Sequence, residues 1–203
     1  YGAGVQPRSL AIGDLNRDGR PDFVVANFNS NNVSVLLGIG NGTFAAAVNY
    51  AVGSGPISLA IGDLNGDGTP DLGVANSDFN TNNVSVLLGN GDGTFAAAVE
   101  YLSGGTTCAS VAIGDFSGDG KSDLAVANYD SNDVSVLLNS GNGTFAAAVN
   151  YGVGNFPGSV ATGDLNSDGR PVLAVANQDS GNVSVLLNSG NSSFAAAVNY
   201  AAG

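Results

Sequence analysis

The sequence predicts an all-β fold, a β-propeller of four-stranded antiparallel blades with four repeats in the chain. The first observation behind this prediction is a period of about 50 residues, which is typical of propellers and β-solenoids. The second is that each repeat holds several short apolar segments of strand length. No window carries an apolar stripe of helical spacing, so we expect almost no helix.

The repeats align on the first aspartate of an acidic loop, and these aspartates are 49, 52 and 49 residues apart: Asp14, Asp63, Asp115 and Asp164. An Asn stands 13 residues after each of them, followed by V-S-V-L-L and then F-A-A-A-V-[NE]-Y. We therefore expect a single propeller, or a propeller segment, over residues 1–203. Its repeats are approximately 1–50, 51–101, 102–151 and 152–203.

The second repeat illustrates the four predicted strands. The first covers residues 58–62, is small and apolar, and ends at the acidic loop; the second covers residues 71–76 and the third residues 84–88. The fourth covers residues 95–101, and period-two alternation places four of its side chains on one face: Phe95, Ala97, Val99 and Tyr101. Asn-Gly and Asp-Gly before it supply the positive φ of a tight hairpin. Each repeat is thus predicted to be an antiparallel meander.

The choice of side chains also suggests how the strands lie in a blade. Small residues in the first strand suit the crowded central channel of a propeller. Apolar residues on both faces of the second and third strands suit blades that pack against neighbours on both sides, since a sheet with one wet face alternates more cleanly.

The acidic loop has the pattern D-x-[NS]-x-D-G-x-x-D in residues 14–22, 63–71 and 115–123. The fourth copy, residues 164–172, ends in Val172 instead of Asp. Alternate oxygen-bearing side chains around a glycine turn point inward at one spot, which is how a chain surrounds a hard cation such as Ca²⁺.

Two other interpretations of the loop are weaker. A metal-free hairpin turn is disfavoured because four bare carboxylate clusters in one register would repel themselves. An EF-hand requires flanking helices and a Glu at loop position 12, whereas that position holds valine in every copy: Val25, Val74, Val126 and Val175.

The chain carries 17 acidic and 5 basic residues, a formal charge of −12, which disfavours nucleic acid and anionic membranes as partners. It has no run of 18 apolar residues, so we expect no membrane insertion. Most of the acidic residues are interpreted as metal ligands, because eleven of the 17 carboxylates lie in the four loops.

The string D-x-N-G-D-G-x-P-D-L-x-V-A-N, followed by V-S-V-L-L-G-N-G-D-G-T-F, strongly resembles the FG-GAP/VCBS repeat. That family includes the repeats of integrin α-subunit propellers, fungal propeller lectins and many bacterial secreted proteins. The resemblance covers essentially the whole chain. It implies an extracellular or cell-surface β-propeller with one Ca²⁺ in the loop between the first and second strands of each blade.

The resemblance also implies the ligands of each site. In the first loop they are Asp14, Asn16, Asp18 and Asp22, with the carbonyl oxygen of Arg20. In the second they are Asp63, Asn65, Asp67 and Asp71, with the carbonyl oxygen of Thr69. In the third they are Asp115, Ser117, Asp119 and Asp123, with the carbonyl oxygen of Lys121. In the fourth, Asp164, Asn166 and Asp168 match, with the carbonyl oxygen of Arg170. We expect three strong sites and a fourth that is weak or empty, because Val172 removes the closing carboxylate.

An enzyme is the weakest functional interpretation. The chain has no His, which excludes Ser-His and Cys-His nucleophiles. A carboxylate pair for acid/base catalysis would have to come from the acids outside the loops: Asp78, Asp92, Glu100, Asp130, Asp133 and Asp179. The lone Cys108 allows no intrachain disulfide and is expected to be a small buried strand residue.

A non-enzymatic binding or adhesion module is the leading interpretation, with a protein or glycan ligand that the sequence does not identify. A carbohydrate-binding lectin is one alternative, for which exposed aromatic residues in the connections are the candidates: Phe28, Phe79, Tyr129 and Phe156. A scaffold, spacer or filament unit of a larger secreted protein is another, favoured by the near-identity of the repeats.

Assembly is left open by the sequence. Four blades can close as a monomer, or two chains can pair as a homodimer in an eight-bladed ring. Because the chain lacks Met entirely and begins at Tyr1 in mid-motif, we expect a mature product or an excerpt of a longer chain.

Overall fold

The computed structural model describes residues 1–77, 82–190 and 192–202. The chain folds into four consecutive antiparallel sheets, each a meander whose four strands follow sequence order. The predicted all-β fold with four-stranded antiparallel sheets is therefore confirmed. Helix is confined, among these residues, to a 3-10 turn at Phe28–Ser30. We number the sheets 1 to 4 along the chain.

The strands of each sheet are as follows. Sheet 1 contains β1 (Pro7–Gly13), β2 (Asp22–Asn27), β3 (Asn32–Leu36) and β4 (Val48–Ala51). Sheet 2 contains β5 (Pro56–Gly62), β6 (Asp71–Asn76), β7 (Asn83–Leu87) and β8 (Val99–Leu102). Sheet 3 contains β9 (Cys108–Gly114), β10 (Asp123–Asn128), β11 (Asp133–Leu137) and β12 (Val149–Gly152). Sheet 4 begins with β13 (Pro157–Gly163), β14 (Val172–Asn177) and β15 (Asn182–Leu186). A small hairpin of β16 (Asn188–Gly190) and β17 (Ser193–Phe194) then precedes β18 (Val198–Ala201), the fourth strand of sheet 4.

The acidic loop lies at the same corner of every sheet, because it joins the first strand to the second. Gly13 pairs with Asp22 at this corner of sheet 1, and Gly62 pairs with Asp71 in sheet 2. The first strand pairs with the second strand alone, so its outer edge requires no N–H donor. A proline can therefore stand at its start, as Pro7 does, with a register shift beside it.

The core lies between the sheets, in one apolar cluster at each junction. Between sheets 1 and 2, Leu15 and Val35 pack with Leu72 and Leu87. Equivalent clusters join sheets 2 and 3 and sheets 3 and 4. The first strands also pack in a row, β1 on β5, β5 on β9 and β9 on β13. The two middle sheets are thus covered on both faces, which fits the apolar character of both faces of their second and third strands.

The fourth strand is shorter than predicted. Residues 95–101 were expected to form it, but β8 covers Val99–Leu102, and Phe95 makes only an isolated bridge with Gly89. The predicted common face is also wrong, since Phe95 is 7% exposed whereas Val99 is 54% exposed. The physical reason is that Phe95 packs edge-on against Tyr50 of the preceding sheet, with ring centroids 5.5 Å apart. The alanines that follow carry too little apolar surface to hold the chain on that face.

Cys108 is buried at the start of β9, as predicted. It stands where the other first strands have Pro7, Pro56 and Pro157. Its Sγ donates to the Oδ1 of Asn128 at 3.8 Å, a contact that proline cannot make. No helix among the described residues has the length and hydropathy to cross a membrane.

Candidate metal centre

The first half of each acidic loop folds around its own backbone N–H groups. In residues 14–22 the Asp14 carboxylate accepts hydrogen bonds from the N–H groups of Asp18 at 3.1 Å and Gly19 at 2.8 Å. The Asn16 Oδ1 also accepts from the Asp18 N–H at 3.1 Å, and the Asp18 Oδ1 accepts from the Arg20 N–H at 2.9 Å. Gly19 has a φ of 79°, which permits this tight turn. Three alternate oxygen-bearing side chains are therefore held on one turn.

The other loops repeat this arrangement. The Asp63 carboxylate accepts from the N–H groups of Gly66 and Gly68, both at 2.7 Å, while Asn65 and Asp67 repeat the contacts of Asn16 and Asp18. In the third loop Asp115 accepts from Gly118 and Gly120, and in the fourth Asp164 accepts from Gly169. Asn166 donates to Asp168 at 2.9 Å. The aspartates at positions one and five thus make equivalent contacts in all four repeats.

Ser117 differs from the asparagines that stand at its position. Its hydroxyl donates to the Asp115 Oδ1 at 3.3 Å. It offers one hydroxyl oxygen where Asn offers an amide carbonyl, which is the better ligand for a hard cation.

The aspartate at position nine closes the loop onto the rest of the sheet. Asp22 is fully buried, and its two oxygens accept from the Leu15 N–H at 2.8 Å and the Gly38 N–H at 2.7 Å. Asp71 accepts in the same way from Leu64 and Gly89. Asp123 accepts from three N–H groups, those of Phe116, Ser117 and Asn139. The residue is a clamp between the acidic loop and the turn after the third strand.

Burial and neighbouring negative charges both affect the pKa of the aspartate at position nine in the second and third loops. Burial raises the pKa of Asp71, and repulsion from Asp67 and Asp63 raises it further, against the N–H donors of Gly89 and Leu64. Burial also raises the pKa of Asp123, with a smaller contribution from Asp115. Carboxylates of one loop therefore lie close enough to repel each other, and a cation between them would relieve that repulsion.

The residues at position seven contribute their backbone N–H groups to the loop: Arg20, Thr69, Lys121 and Arg170 each donate to the aspartate at position five. The Arg20 guanidinium lies 3.8 Å from Asp18, and the Lys121 ammonium lies 3.1 Å from Asp119. The Thr69 hydroxyl lowers the pKa of Asp67, and the Lys121 N–H lowers that of Asp119. These contacts favour the charged form of the Asp67 and Asp119 carboxyl groups.

The fourth loop lacks the clamp. Val172 is buried at the position of Asp22, Asp71 and Asp123, and its side chain accepts no hydrogen bond. The loop before it is exposed throughout residues 164–170.

The donor set suits Ca²⁺, because it consists of oxygen atoms from carboxylates, amides and one hydroxyl. The geometry is less complete: within the described ranges, no three acidic or cysteine side chains converge so that they could hold a metal ion. In each loop the carboxylates face backbone N–H groups instead. The residues fit the ion in chemistry, and the ligand sets implied by the sequence stay predictions.

Two kinds of residue in and beside the loops were not singled out from the sequence. The side chain at loop position two is buried at each junction, where Leu15, Leu64 and Phe116 are at most 1% exposed. In addition, the Asn139 side chain donates to the Leu64 carbonyl at 2.6 Å, and the Asn188 side chain to the Phe116 carbonyl at 2.9 Å. A large apolar residue recurring inside an acidic turn is the signal that could have revealed the first group.

Two pairs of successive loops, the second with the third and the third with the fourth, also share a cleft. One, of about 100 Å³, is lined by Asp63 and Lys121, and the next, of about 260 Å³, by Asp115 and Arg170. Each cleft therefore pairs the first aspartate of one loop with the basic residue at position seven of the next.

Two of the candidate aromatic residues come together at the opposite end of the sheets. The Tyr129 and Phe156 rings stack with centroids 4.8 Å apart, and the Tyr129 hydroxyl bonds the Gln178 Oε1 at 3.1 Å. Phe28 lies apart from them, with the Arg8 guanidinium over its ring at 5.4 Å. Phe79 lies outside the described residues, as does Asp78.

The other acids outside the loops mostly have structural partners. Asp92 bonds Thr94, Glu100 accepts from Asn83, Asp130 bonds Thr107, and Asp133 accepts from Asn128. Asp130 and Asp133 therefore turn to different partners although they share a turn.

Several solved structures resemble this fold. BBS1N, crystallised in complex with ARL6DN, is 16% identical, with a TM-score of 0.64 over 95% of this chain and 57% of that chain. Virginiamycin B lyase from Staphylococcus aureus is 13% identical, with a TM-score of 0.66, and the match covers 97% of this chain and 56% of that chain. The V. cholerae biofilm matrix protein Bap1 is 19% identical, with a TM-score of 0.58, and the match covers 96% of this chain and 28% of that chain. The chain thus spans little more than half of the first two, and at these identities the likeness concerns the fold alone.

Comparison with curated proteins by sequence finds no significant match. The sequence profile of the FG-GAP-like repeat matches residues 14–74, 63–126 and 115–175. Each match begins at the first aspartate of one loop and ends in the second strand of the next sheet. The matches together span most of the chain, on the loops and strands from which the resemblance was inferred, and the chain belongs to the FG-GAP-like repeat family.

Proposed function

We propose that the chain is a non-enzymatic, calcium-stabilised segment of an extracellular β-propeller that serves as a binding or adhesion module. The observation that carries this proposal is the recurrence of one acidic loop at the same corner of four sheets. Four sheets packed face to face through their first strands also have the order expected of propeller blades.

Calcium has a structural role in this proposal. Bound Ca²⁺ would supply the positive charge that lets the carboxylates of one loop approach each other. The side chains at positions one, three and five would hold it with the position-seven carbonyl and the position-nine carboxylate. The clamp aspartate would meanwhile keep its N–H donors, which fix the loop to the turn after the third strand. The ion would thus rigidify the corner between two sheets in a chain that has no disulfide.

Calorimetric titration of the metal-free chain with Ca²⁺ tests this role. We expect three sites with Kd on the order of 10⁻⁴–10⁻³ M or tighter, as in extracellular calcium modules. The fourth loop should bind weakly or not at all. Four equal sites would contradict the prediction for Val172, and the absence of any binding would contradict the structural role of calcium.

The proposal that the chain is not an enzyme rests on its side chains. There is no histidine in the sequence, and four acids outside the loops, Asp92, Glu100, Asp130 and Asp133, accept hydrogen bonds from threonine or asparagine residues. No pair of them shares a hydrogen-bond partner of the kind that an acid/base mechanism requires.

A lectin is a second candidate, favoured by the Tyr129–Phe156 stack. Phe156 has a φ of 54°, as the residue before the first strand has in every repeat, so this conformation belongs to the fold and presents the ring at a fixed position. The stacked rings beside Gln178 combine an aromatic surface with a polar group, as a sugar site requires. A glycan array with the wild-type chain and Tyr129→Ala tests it: signals lost in the variant support a lectin, and an array without signals opposes it.

A scaffold or filament unit is the remaining candidate. The near-identity of the repeats favours it, and a biofilm matrix protein is among the structures that share the fold. The assembly state described next bears directly on this possibility.

A further inference from the structure

The two end sheets expose side chains whose equivalents are buried at every internal junction. At loop position two, Leu15, Leu64 and Phe116 are 1%, 0% and 0% exposed, whereas Leu165 of sheet 4 is 64% exposed. In the first strand, Leu59, Val111 and Val160 are 7%, 6% and 6% exposed, whereas Leu10 of sheet 1 is 53% exposed. Sheet 4 therefore presents an exposed leucine of the acidic loop, and sheet 1 presents an exposed leucine of its first strand, although Leu36 of sheet 1 is already buried.

The internal junctions show how the exposed faces of sheets 1 and 4 could pack against each other. Between sheets 2 and 3, Leu64 belongs to one cluster with Val111, Leu124 and Leu137. The residues of sheet 1 that occupy the places of those three are Leu10, Phe23 and Leu36. Leu165 is likewise the equivalent of Leu64. The face of sheet 4 that carries Leu165 is thus the counterpart of the face of sheet 1 that carries Leu10.

The charges on the two ends are complementary in the same way. The clefts of the second and third internal junctions are lined by an aspartate from one loop and a basic residue from the next, Asp63 with Lys121 and Asp115 with Arg170, whereas the first junction has Thr69 in place of the basic residue. The end sheets hold the separate halves of one further pair, Asp164 on sheet 4 and Arg20 on sheet 1. Docking of sheet 4 on sheet 1 would bring these two together.

The two end sheets also carry the separate partners of one aromatic contact, a phenylalanine on sheet 1 and a tyrosine on sheet 4. At the internal junctions a tyrosine of one sheet lies edge-on to a phenylalanine of the next, as in Tyr101–Phe145 at 5.2 Å. At the free end of sheet 1 the Phe44 ring is contacted by Tyr1 at 5.5 Å, although Tyr1 itself is 76% exposed. Tyr200 of sheet 4 has no such partner among the described residues and is 57% exposed. In a docked pair Tyr200 would replace Tyr1 on Phe44, where the Tyr1 hydroxyl accepts from the Phe44 N–H at 3.1 Å.

We propose that sheet 4 of one copy of this chain docks head-to-tail on sheet 1 of a second copy, with Leu165 inserted beside Leu10. The contact reproduces an internal junction between near-identical repeats. Two copies joined at both ends form a closed ring of eight sheets, in which every sheet is covered on both faces. This inference requires neither calcium binding nor any ligand of the proposed module.

Sedimentation analysis of the whole chain tests the proposal. At about 100 μM, where micromolar association is nearly complete, the wild-type mass should be about twice 19.9 kDa. Leu165→Asp and Leu10→Asp should each sediment as monomers, because each removes one half of the contact. Both residues are exposed, so the variants should retain the wild-type circular dichroism spectrum. Val149→Asp, at an exposed position on the outer strand β12, is the matched control and should remain paired.

Mixing the two monomeric variants separates head-to-tail docking from face-to-face pairing. The intact sheet 4 of Leu10→Asp can bind the intact sheet 1 of Leu165→Asp, so the mixture should regain the doubled mass. Tyr1→Ala should tighten the wild-type association, and Tyr200→Ala should weaken it.

Other results would overturn the proposal. A monomeric wild-type chain at about 100 μM would leave the end faces to a different occupant, such as a further repeat of a longer polypeptide. Pairing by either single variant alone, or a mixture that stays monomeric, would exclude the head-to-tail contact. A ladder of higher masses would retain the contact but exclude the closed ring of two copies.

Discussion

At the residue scale, the aspartate at loop position nine is a backbone clamp as well as a predicted metal ligand. Its side chain is buried in sheets 1 to 3, and both of its oxygens accept main-chain N–H groups from two separate segments. A buried N–H group without an acceptor costs free energy comparable to a lost hydrogen bond. The residue therefore ties the loop to its sheet whether or not a cation is bound.

Removing the clamp should destabilise the metal-free protein. Asp123→Ala leaves the N–H groups of Phe116, Ser117 and Asn139 without their acceptor. We expect the free energy of unfolding to fall by about 3 kcal/mol, from more than one unsatisfied buried donor. Urea denaturation in the presence of EDTA measures this loss apart from calcium. Asp92→Ala, which removes a local contact to Thr94 in an exposed turn, should change stability by less than about 0.5 kcal/mol. Equal losses in the two variants would contradict the clamp.

Restoring the clamp in the fourth loop should create a calcium site. Val172→Asp places a carboxylate where Asp22, Asp71 and Asp123 stand, next to a loop that already holds Asp164, Asn166 and Asp168. The variant should bind one more equivalent of Ca²⁺ than the wild-type chain in calorimetric titration. Val172→Ala, which removes the valine without adding a ligand, should bind the same number as the wild type. An unchanged stoichiometry in Val172→Asp would show that the closing carboxylate does not limit the fourth site.

The single thiol should be unreactive in the folded chain. Burial raises the pKa of Cys108 to about 11, and the thiolate is the nucleophile, so little of it is present at pH 8. We expect a disulfide reagent to label less than a few per cent of the native chain and all of the urea-unfolded chain. Because the raised pKa favours the neutral thiol, labelling of the folded chain should appear only as the pH approaches about 11. Rapid labelling at pH 8 would contradict the burial.

At the element scale, the sequence predicts strands best where both faces are apolar. The second strand at residues 71–76 agrees with β6 at both ends, and the third differs from β7 by one residue. The fourth was predicted too long, because alternation of Phe, Ala and Val suggested a strand where the chain crosses to the outer edge. Local periodicity carries no information about which sheet a side chain will meet, and Phe95 is held by Tyr50 of another sheet.

The same limit applies to the loops. Their oxygen-bearing residues could be identified from spacing alone, since alternate positions on one turn are a local property. The burial of Leu15, Leu64 and Phe116 could not, because it depends on the next sheet, about 50 residues away in the chain.

These apolar loop residues should account for much of the adhesion between sheets. Phe116 is fully buried between sheets 3 and 4, beside Phe194 at 5.8 Å. Phe116→Ala should therefore lower the free energy of unfolding by about 3–5 kcal/mol, as for other buried aromatic residues. Leu165→Ala in a Leu10→Asp background, where sheet 4 has no partner face, should cost less than about 0.5 kcal/mol. Urea denaturation measures both, and a small loss for Phe116→Ala would contradict its role at the junction.

At the scale of the whole molecule, the described residues form a row of sheets whose first strands contact one another in sequence order, β1 on β5, β5 on β9 and β9 on β13. The free energy of unfolding of such an array is approximately the sum of the intrinsic stability of each repeat and the interaction free energy at each junction. In the proposed function, calcium would act on this sum at the corners of sheets 1 to 3, so that small effects at single loops would add along the chain.

Removal of calcium should consequently lower the melting temperature by at least several degrees. A ligand that binds the folded state alone stabilises it by mass action, and about 1 kcal/mol shifts the transition by about 2–4 °C in a chain of this size. Thermal unfolding with saturating Ca²⁺ and with EDTA measures the shift. A variant with Asp14, Asp63 and Asp115 all changed to Ala should show no shift. Identical melting curves of the wild type in Ca²⁺ and EDTA would show that calcium does not stabilise the folded chain.

The row also predicts an uneven distribution of local stability. In the monomeric Leu165→Asp variant, sheets 2 and 3 keep two neighbours each, whereas sheet 4 keeps one. Amide protons of β6 and β10 should therefore exchange with deuterium at least about tenfold more slowly than those of β14, a difference of about 1.4 kcal/mol in opening free energy. In the wild-type chain at concentrations where two copies pair, β14 should gain protection and the difference should shrink. Uniform protection of all four sheets in the variant would mean that the array unfolds as one cooperative unit, and that its exposed end faces carry no cost in local stability.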